Sequence, residues 1–543
     1  MKHVSLFVVL LISAGLVFAG GQSEAQPEVE VAPVANEVRL PTMGGGAYMD
    51  WMKTVYDRVG PTDVVQLSIS SYDKEFELHP IAAENWSISD DGLTWTFNLR
   101  ENLAWSDGTP LTAHDYVFAL ERAVTDGYDF AWYWSWAAGI KNWGAVESGD
   151  APLEDFGVRA VDDYTIEVET EAPKPYLPSV AAFWFPVPRH VHEEHGDEWA
   201  SSIENYVSSG PYMLTEWVRG DRMVLEPNPE YNGPWPASVD KITLFPALED
   251  PSVGFPAYLA GDIDNTPLDA GQLAYAQSRF PDQLQSSVFF GIYYLAYDYD
   301  VEPFNNEDVR KAIFYSIDRD ELTNTILNNV AIPARTLYAP TFPGYSEDIA
   351  EQTGYDPERA RQHLADAGYP DGEGFPDVSL WWRIEGGIHA PIVGPMAEYL
   401  QAQFQDVLNI DIEVEGKELK TWIDGLADRE NNMFLSPYMY DYVDPSNFAS
   451  IFVNGGRHHW ENDEYTELVN RANESFDQEE RLELYQEAEQ ILIDEAAVTY
   501  LVHPVENLMW KPYISGEAME PNSFDLYGGS ILYKWTHLSV DDE

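Results

Sequence analysis

The chain has 543 residues, more than a single hydrophobic core usually organises, so two or three lobes are expected. With 45% hydrophobic and 14% aromatic residues it is too apolar to be a disordered acidic chain, although 93 Asp and Glu against 30 Lys and Arg leave a formal charge of −63. These acids are spread along the whole sequence and make a surface that repels phosphate backbones and anionic headgroups, which argues against nucleic acid or lipid partners. The same surface repels itself. At about 1 M salt the Debye length falls to roughly 3 Å and that repulsion is screened, so the charge points to a high-salt habitat.

In chain order, Met1-Lys2-His3 and the apolar run Val4 to Val17 read as a signal peptide, with small residues Val17 and Ala19 at the spacing a signal peptidase accepts. The run is shorter than a spanning helix needs, and no later segment is apolar enough to cross a bilayer, so the mature chain is expected to be free of the membrane. Cysteine is absent, which excludes disulfides, thiolate catalysis and a diacylglyceryl-cysteine anchor. A periplasmic location follows, with cleavage near Ala19. Residues 20–36 read as a flexible leader, and folding is expected from Glu37 onward. Gly44-Gly45-Gly46 permits a turn or a close backbone approach.

Further along, polar and apolar residues alternate over Thr94–Leu99 behind the turn Asp90-Asp91-Gly92, the pattern of a half-buried strand. Thr112-Ala113-His114-Asp115 has the spacing of a capping box ahead of a helix through Val117, Leu120 and Glu121. Tyr212-Met213-Leu214 and Met223-Val224-Leu225 flank the turn Arg219-Gly220-Asp221 as a hairpin, Asp308 to Leu322 is helical in pattern, and Asp477 starts a helix whose Leu484, Tyr485, Ala488, Ile491 and Leu492 share one face. Mixed α and β structure without repeats is expected.

Several blocks together resemble the extracellular solute-binding proteins that serve peptide-type ABC transporters, the oligopeptide- and dipeptide-binding family. The longest runs from Ile81 through Trp86, Asp91-Gly92-Leu93-Thr94-Trp95-Thr96-Phe97 and Arg100 to Trp105-Ser106-Asp107-Gly108-Thr109-Pro110-Leu111-Thr112-Ala113 and Asp115-Tyr116-Val117-Phe118. Others are Ser209-Gly210-Pro211-Tyr212, Tyr258-Leu259-Ala260-Gly261-Asp262, Asp308-Val309-Arg310-Lys311-Ala312, Ala365-Asp366-Ala367-Gly368-Tyr369-Pro370 and Asp444-Pro445-Ser446-Asn447-Phe448. The resemblance implies a periplasmic-binding-protein-like α/β fold with three lobes, two of which close about a hinge over a ligand cleft. It divides the chain into the signal peptide 1–19, the leader 20–36, lobe I in three pieces (37–65, 179–285 and 501–543), an extra domain at 66–178 and lobe III at 286–500. A monomer that captures short peptides and hands them to ABC permease subunits is implied, with no cofactor and no metal.

The resemblance also places the ligand. Peptide binders of this family fix the ligand's amino terminus with an aspartate just ahead of the block matched here by Asp444-Pro445-Ser446, and that position is Asp441. A carboxylate enclosed in a cleft makes a charge-assisted bond to an ammonium group. Tyr438, Met439 and Tyr440 precede it, Tyr438 standing where relatives place a pocket tryptophan. Leu419 replaces a second pocket tryptophan, Leu426 and Leu435 replace arginines, and Pro437 has no N–H to offer an added peptide strand. The 18 Trp and 32 Tyr keep an oligosaccharide ligand in view as an alternative.

Two histidine-rich segments are set aside: His190, His192 and His195 with Glu193 and Glu194 have metal-like spacing without a second supporting signal, and Gly455-Gly456-Arg457-His458-His459-Trp460 reads as a loop. A hydrolase is the reading from another class, but the chain has no Gly-x-Ser-x-Gly elbow, His-Glu-x-x-His helix or phosphate-binding loop, and among 93 acids neighbouring carboxylates carry no information.

Overall fold

The computed structural model describes residues 36–42, 49–53, 61–248, 250–384, 390–428, 431, 433–519 and 531–541. The expected signal peptide, nearly all of the leader and Gly44–Gly46 lie outside them. Three large sheets organise the rest. A four-stranded sheet takes the order Glu37–Pro41, Lys241–Phe245, Arg222–Pro227, Tyr212–Val218, its first pair parallel and the others antiparallel. The expected hairpin is its last pair, and the first strand begins at Glu37.

The second sheet is antiparallel, in the order Ala83–Ile88, Thr94–Leu99, Thr165–Glu169, Val158–Asp162. Along Thr94–Leu99 the odd-numbered Trp95, Phe97 and Leu99 are buried while their neighbours stay half-buried, as a pleated strand with one core face requires. The helix Ala113–Asp126 packs beside it. Its start is fixed by the capping box: the Asp115 carboxylate accepts from the Thr112 N–H at 2.9 Å and the Thr112 hydroxyl at 3.2 Å. Gly127 ends the helix in the left-handed region at φ 64°, where a side chain would be strained.

The third sheet is mixed and has eight strands. Its main path is Asn265–Pro267, Thr499–Trp510, Gly291–Tyr297, Met433–Met439, Val378–Arg383, Ile412–Lys417, with Leu284–Val288 and Ala331–Pro333 also pairing on Thr499–Trp510. Gly291–Tyr297 is buried along its whole length because it has strands on both edges and cover on both faces.

One element departs from its sequence pattern. The single helix expected over Asp308–Leu322 is instead Glu307–Ser316, a break, and a second start at Arg319–Glu321 that continues as a π-turn over Leu322–Ile326. Asp318 is extended and its carboxylate caps the new helix through the Glu321 N–H at 3.0 Å, while Arg319 turns inward to the carbonyls of Tyr500, Phe314 and Ile317. The apolar spacing runs through the break, so periodicity alone reads one helix.

Two hydrophobic cores result. One holds the eight-stranded sheet and the helices from Glu307 to Asp494; the other holds both four-stranded sheets together with Trp510, Leu532 and Trp535 from the C-terminal segment. The 12-residue strand Thr499–Trp510 joins them, with Tyr500–Val502 in the first core and Trp510 in the second. They meet again just after Met433–Met439. There Tyr442 stacks on Tyr176 at 5.5 Å between ring centroids, and the Val443 N–H donates to the Tyr72 hydroxyl at 3.3 Å. Among the described residues no helix is long and apolar enough to cross a membrane.

Candidate functional site

The candidate site grows from the end of the strand Met433–Met439. Along one edge this strand pairs antiparallel with Gly291–Tyr297 over its whole length. On the other edge Val378–Arg383 pairs only with Met433, Phe434 and Leu435, so among the described residues Ser436–Met439 have no partner strand there; Ser436 and Pro437 are buried, while Tyr438 and Met439 are half-buried. Unpaired strand edges are where an extended peptide can add. Pro437 lies within this stretch and supplies a carbonyl but no N–H.

Beyond the strand the chain turns sharply, and the turn is built to hold one carboxylate. The Tyr438 hydroxyl donates to Asp441 Oδ2 at 3.0 Å, and Asn447 Nδ2 donates to the same oxygen at 3.1 Å. Asn447 Oδ1 accepts the Asp441 N–H at 3.0 Å, so a single fully buried amide clamps both the main chain and the side chain of Asp441. Burial and the adjacent Asp441 carboxylate hold the Tyr438 phenol far above its ordinary pKa, which keeps it a donor.

The block that follows is scaffold. Asp444 Oδ1 accepts the Ser446 N–H at 3.0 Å and receives the Arg481 guanidinium at 2.8 Å, with both partners of that ion pair buried. This fixes the short helix Ser446–Ala449, which carries Asn447. Asp441 itself remains half-buried. A carboxylate fixed in place at the end of a strand suits a charge-assisted hydrogen bond to an ammonium group.

The other expected site residues divide. Met439 is half-buried against Gly291, where any Cβ would clash with the Met439 sulfur. Tyr440 is only 5% exposed and its ring packs with Phe289 and Phe290 at 5.9 and 5.7 Å, as part of the larger core. Leu435 is fully buried opposite Leu295 and is a core residue, Leu419 is half-buried at the start of the helix Leu419–Asp428, and the Leu426 side chain lies outside the described residues.

Two residues of the site were not reached by sequence reasoning. Asn447 belongs to a quoted block, yet its clamp on Asp441 spans six residues and needs the turn to be known. Arg457 belongs to a segment read only as a loop, and its guanidinium lies 5.9 Å from the Tyr438 ring centroid and 5.9 Å from that of Trp422. The three histidines of the helix Arg189–His195 go separate ways: His190 bonds Asp107 at 2.8 Å, His192 lies 3.6 Å from Asp197, and His195 lies 3.9 Å from Glu194. Asp73, Glu77 and His79 do cluster at metal-like distances, but Asp73 Oδ1 already accepts the N–H groups of Glu75 and Glu77 while Oδ2 pairs with His79, the bonding of a tight turn.

Comparison with known proteins places the chain in a family. The sequence profile of the bacterial extracellular solute-binding proteins, family 5 middle, matches residues 77–460, which includes the clamp around Asp441. The chain is 31% identical over 476 residues to the probable deoxycholate-binding periplasmic protein YgiS of Escherichia coli (strain K12), covering 85% of this chain and 86% of that one. Its structure matches the periplasmic murein tripeptide-binding protein MppA in its unliganded open form with a TM-score of 0.78 and 25% identity, over 94% of this chain and 98% of the other. It matches Haemophilus influenzae OppA in complex with RPPGFSPFR with a TM-score of 0.70 and 26% identity, over 94% and 100%. The chain belongs to the family 5 bacterial extracellular solute-binding proteins, which have the periplasmic-binding-protein-like α/β fold.

Proposed function

We propose that this protein is the substrate-binding component of an ABC importer, capturing short peptides in a cleft between two lobes and presenting them to the membrane permease. The observation that carries the reading is the Asp441 carboxylate, fixed by Tyr438 and Asn447 at the end of a strand edge that has no partner strand among the described residues. The peptide lies along that edge, its ammonium group on Asp441 and its first side chains against Tyr438 and Met439. Residues 37–65, 179–285 and 501–543 form one closing lobe, 286–500 the other, and 66–178 the extra domain. Closure is a population shift: ligand contacts that exist only in the closed state supply the free energy that favours it. The chain acts as a monomeric binder without catalytic turnover. It is exported by a signal peptide cleaved near Ala19 and works in a saline medium.

The test is a thermal-shift screen of the mature chain in molar NaCl against di- to pentapeptides, gluco- and xylo-oligosaccharides, deoxycholate and Ni²⁺, with Asp441→Asn in parallel. Peptides are expected to raise the melting temperature saturably in the wild type, and Asp441→Asn to lose most of that rise. A rise with sugars or deoxycholate alone, unchanged by Asp441→Asn, would overturn the peptide assignment while leaving the family untouched.

A further inference from the structure

Leu426 and Leu435 remove two cations that the family resemblance led one to expect near the ligand, yet a cation is present at the site from another direction. Arg457 is half-buried, and its guanidinium lies over the ring of Tyr438, whose hydroxyl is tied to Asp441. Among the described residues it has neither an ion pair nor a side-chain hydrogen bond, and its guanidinium lies 5.9 Å from the ring centroids of both Tyr438 and Trp422. In a chain with 93 acids and 30 Lys and Arg that isolation is informative. The other buried or half-buried arginines with structural roles are satisfied: Arg39 by Asp264 at 2.6 Å, Arg122 by Asp50 at 2.8 Å, Arg481 by Asp444 at 2.8 Å, and Arg310 and Arg319 by backbone carbonyls.

The loop that carries Arg457 is rigid. Its N–H donates to the Ile451 carbonyl at 3.1 Å, the Gly456 N–H to the Val453 carbonyl at 2.7 Å, and the Asn454 N–H to the Thr466 hydroxyl at 3.0 Å. Gly455 has φ +73°, and a Cβ on Gly456 would lie 2.7 Å from the Val453 carbonyl oxygen, so both glycines are needed for this path. The neighbouring His458 is fully packed and bonded to the Tyr294 hydroxyl at 2.6 Å, which anchors the loop to the strand next to the site. A guanidinium held over an aromatic wall presents its planar fork for a carboxylate.

Resting on the peptide-binding reading above, we propose that Arg457 is a specificity-determining residue that pairs with a carboxylate of the ligand, so that Asp441 and Arg457 together select a peptide bearing both charges within reach of Tyr438. The chemistry is that of a free carboxylate, supplied either by the peptide's C-terminus or by an acidic side chain.

Calorimetric titration of the mature chain with four probes separates the cases: Ala-Ala-Ala and its C-terminal amide, and the amides of Ala-Glu-Ala and Ala-Gln-Ala. The wild type is expected to bind the carboxylate member of at least one pair about tenfold or more tightly than its neutral partner, and the pair that discriminates names the source. In Arg457→Gln that preference should disappear while the affinity for the neutral members stays, and Arg457→Lys, which keeps the charge without the fork, should retain part of it. In Asp441→Asn both members of each pair should weaken together. Peptides that bind the wild type with no preference in either pair, or a preference that survives Arg457→Gln, would overturn the role of Arg457 and leave peptide binding standing. Failure of all four probes to bind would instead overturn the peptide reading, and this inference with it. The wild-type comparison decides against the proposal without any variant having to fold.

Discussion

Glu489 and His503 are fully buried titratable groups that bias the molecule in opposite directions. Burial pushes the Glu489 carboxyl up to about 8; its partner is the Leu337 N–H, and the phenols of Tyr338, Tyr465 and Tyr500 surround it. Because this folded-state value lies above the unfolded one, the stability it contributes is complete below about pH 4.5 and is lost as pH rises toward 8, on the order of 5 kcal/mol over the whole interval. Burial pushes the His503 imidazole down to about 4, and its Nδ1 sits 2.8 Å from the Gly291 carbonyl. That contribution is present above about pH 6.5 and is lost as pH falls toward 4, on the order of 3 kcal/mol. The two slopes cancel between about 4.5 and 6.5 and leave the Glu489 loss alone above that window. The wild-type melting temperature is therefore expected to fall between pH 6.5 and 8.5, and Glu489→Gln, which removes the charge but keeps the acceptor for Leu337, should flatten the curve there. Parallel slopes in the two proteins would refute the assignment of that loss to Glu489.

At the scale of elements, the helix Gln478–Asp494 is locked onto the candidate site by one buried ion pair. Arg481 lies in its first turn and reaches Asp444 at 2.8 Å and the Ala472 carbonyl at 2.9 Å, so it ties the strand-end turn, the preceding helix and its own helix together. Replacing Arg481 by Met leaves Asp444 buried and unpaired, and the expected cost is about 3–5 kcal/mol in urea denaturation. Adding Asp444→Asn to that variant should restore part of the loss, because the stranded charge is removed. Equal stability of the single and double variants would mean that the pair is held by its surroundings and not by charge. How far such elements could be read in advance depends on where their cause lies. Thr94–Leu99 and the Thr112–Asp115 cap were legible because alternation and capping act within a few residues. The break after Ser316 was not, since Arg319 turns inward to a carbonyl at Tyr500, 181 residues away. Asp441 was located through the family blocks and not through its own surroundings, and Arg457 escaped because its meaning depends on a loop and a strand converging on Tyr438.

At the scale of the whole molecule, the charge of −63 acts on the way two cores are held together. Besides the shared strand Thr499–Trp510, the two parts of the molecule meet at Tyr442 on Tyr176, Val443 on Tyr72, Phe76 on Phe290 at 4.9 Å, and Phe476 tilted against Trp95 at 6.3 Å between centroids. Each is local, whereas repulsion between acidic surfaces acts over the Debye length, about 10 Å at 0.1 M salt and about 3 Å at 1 M. Low salt should therefore both lower the global melting temperature and bias the lobes apart, weakening any ligand whose affinity depends on closure. The expected outcome is a melting temperature that rises steadily from 0.1 to 2 M NaCl, with peptide affinity rising in parallel even though salt screens the pairing proposed between a ligand ammonium and Asp441. Opposite trends would separate the two effects: a rising melting temperature with falling affinity would mean that the lost electrostatic attraction to the ligand outweighs the relief of repulsion between lobes. A melting temperature that stays flat or falls with added NaCl would refute the saline reading of the surface altogether, since a compact state opposed by net charge has to gain when that charge is screened.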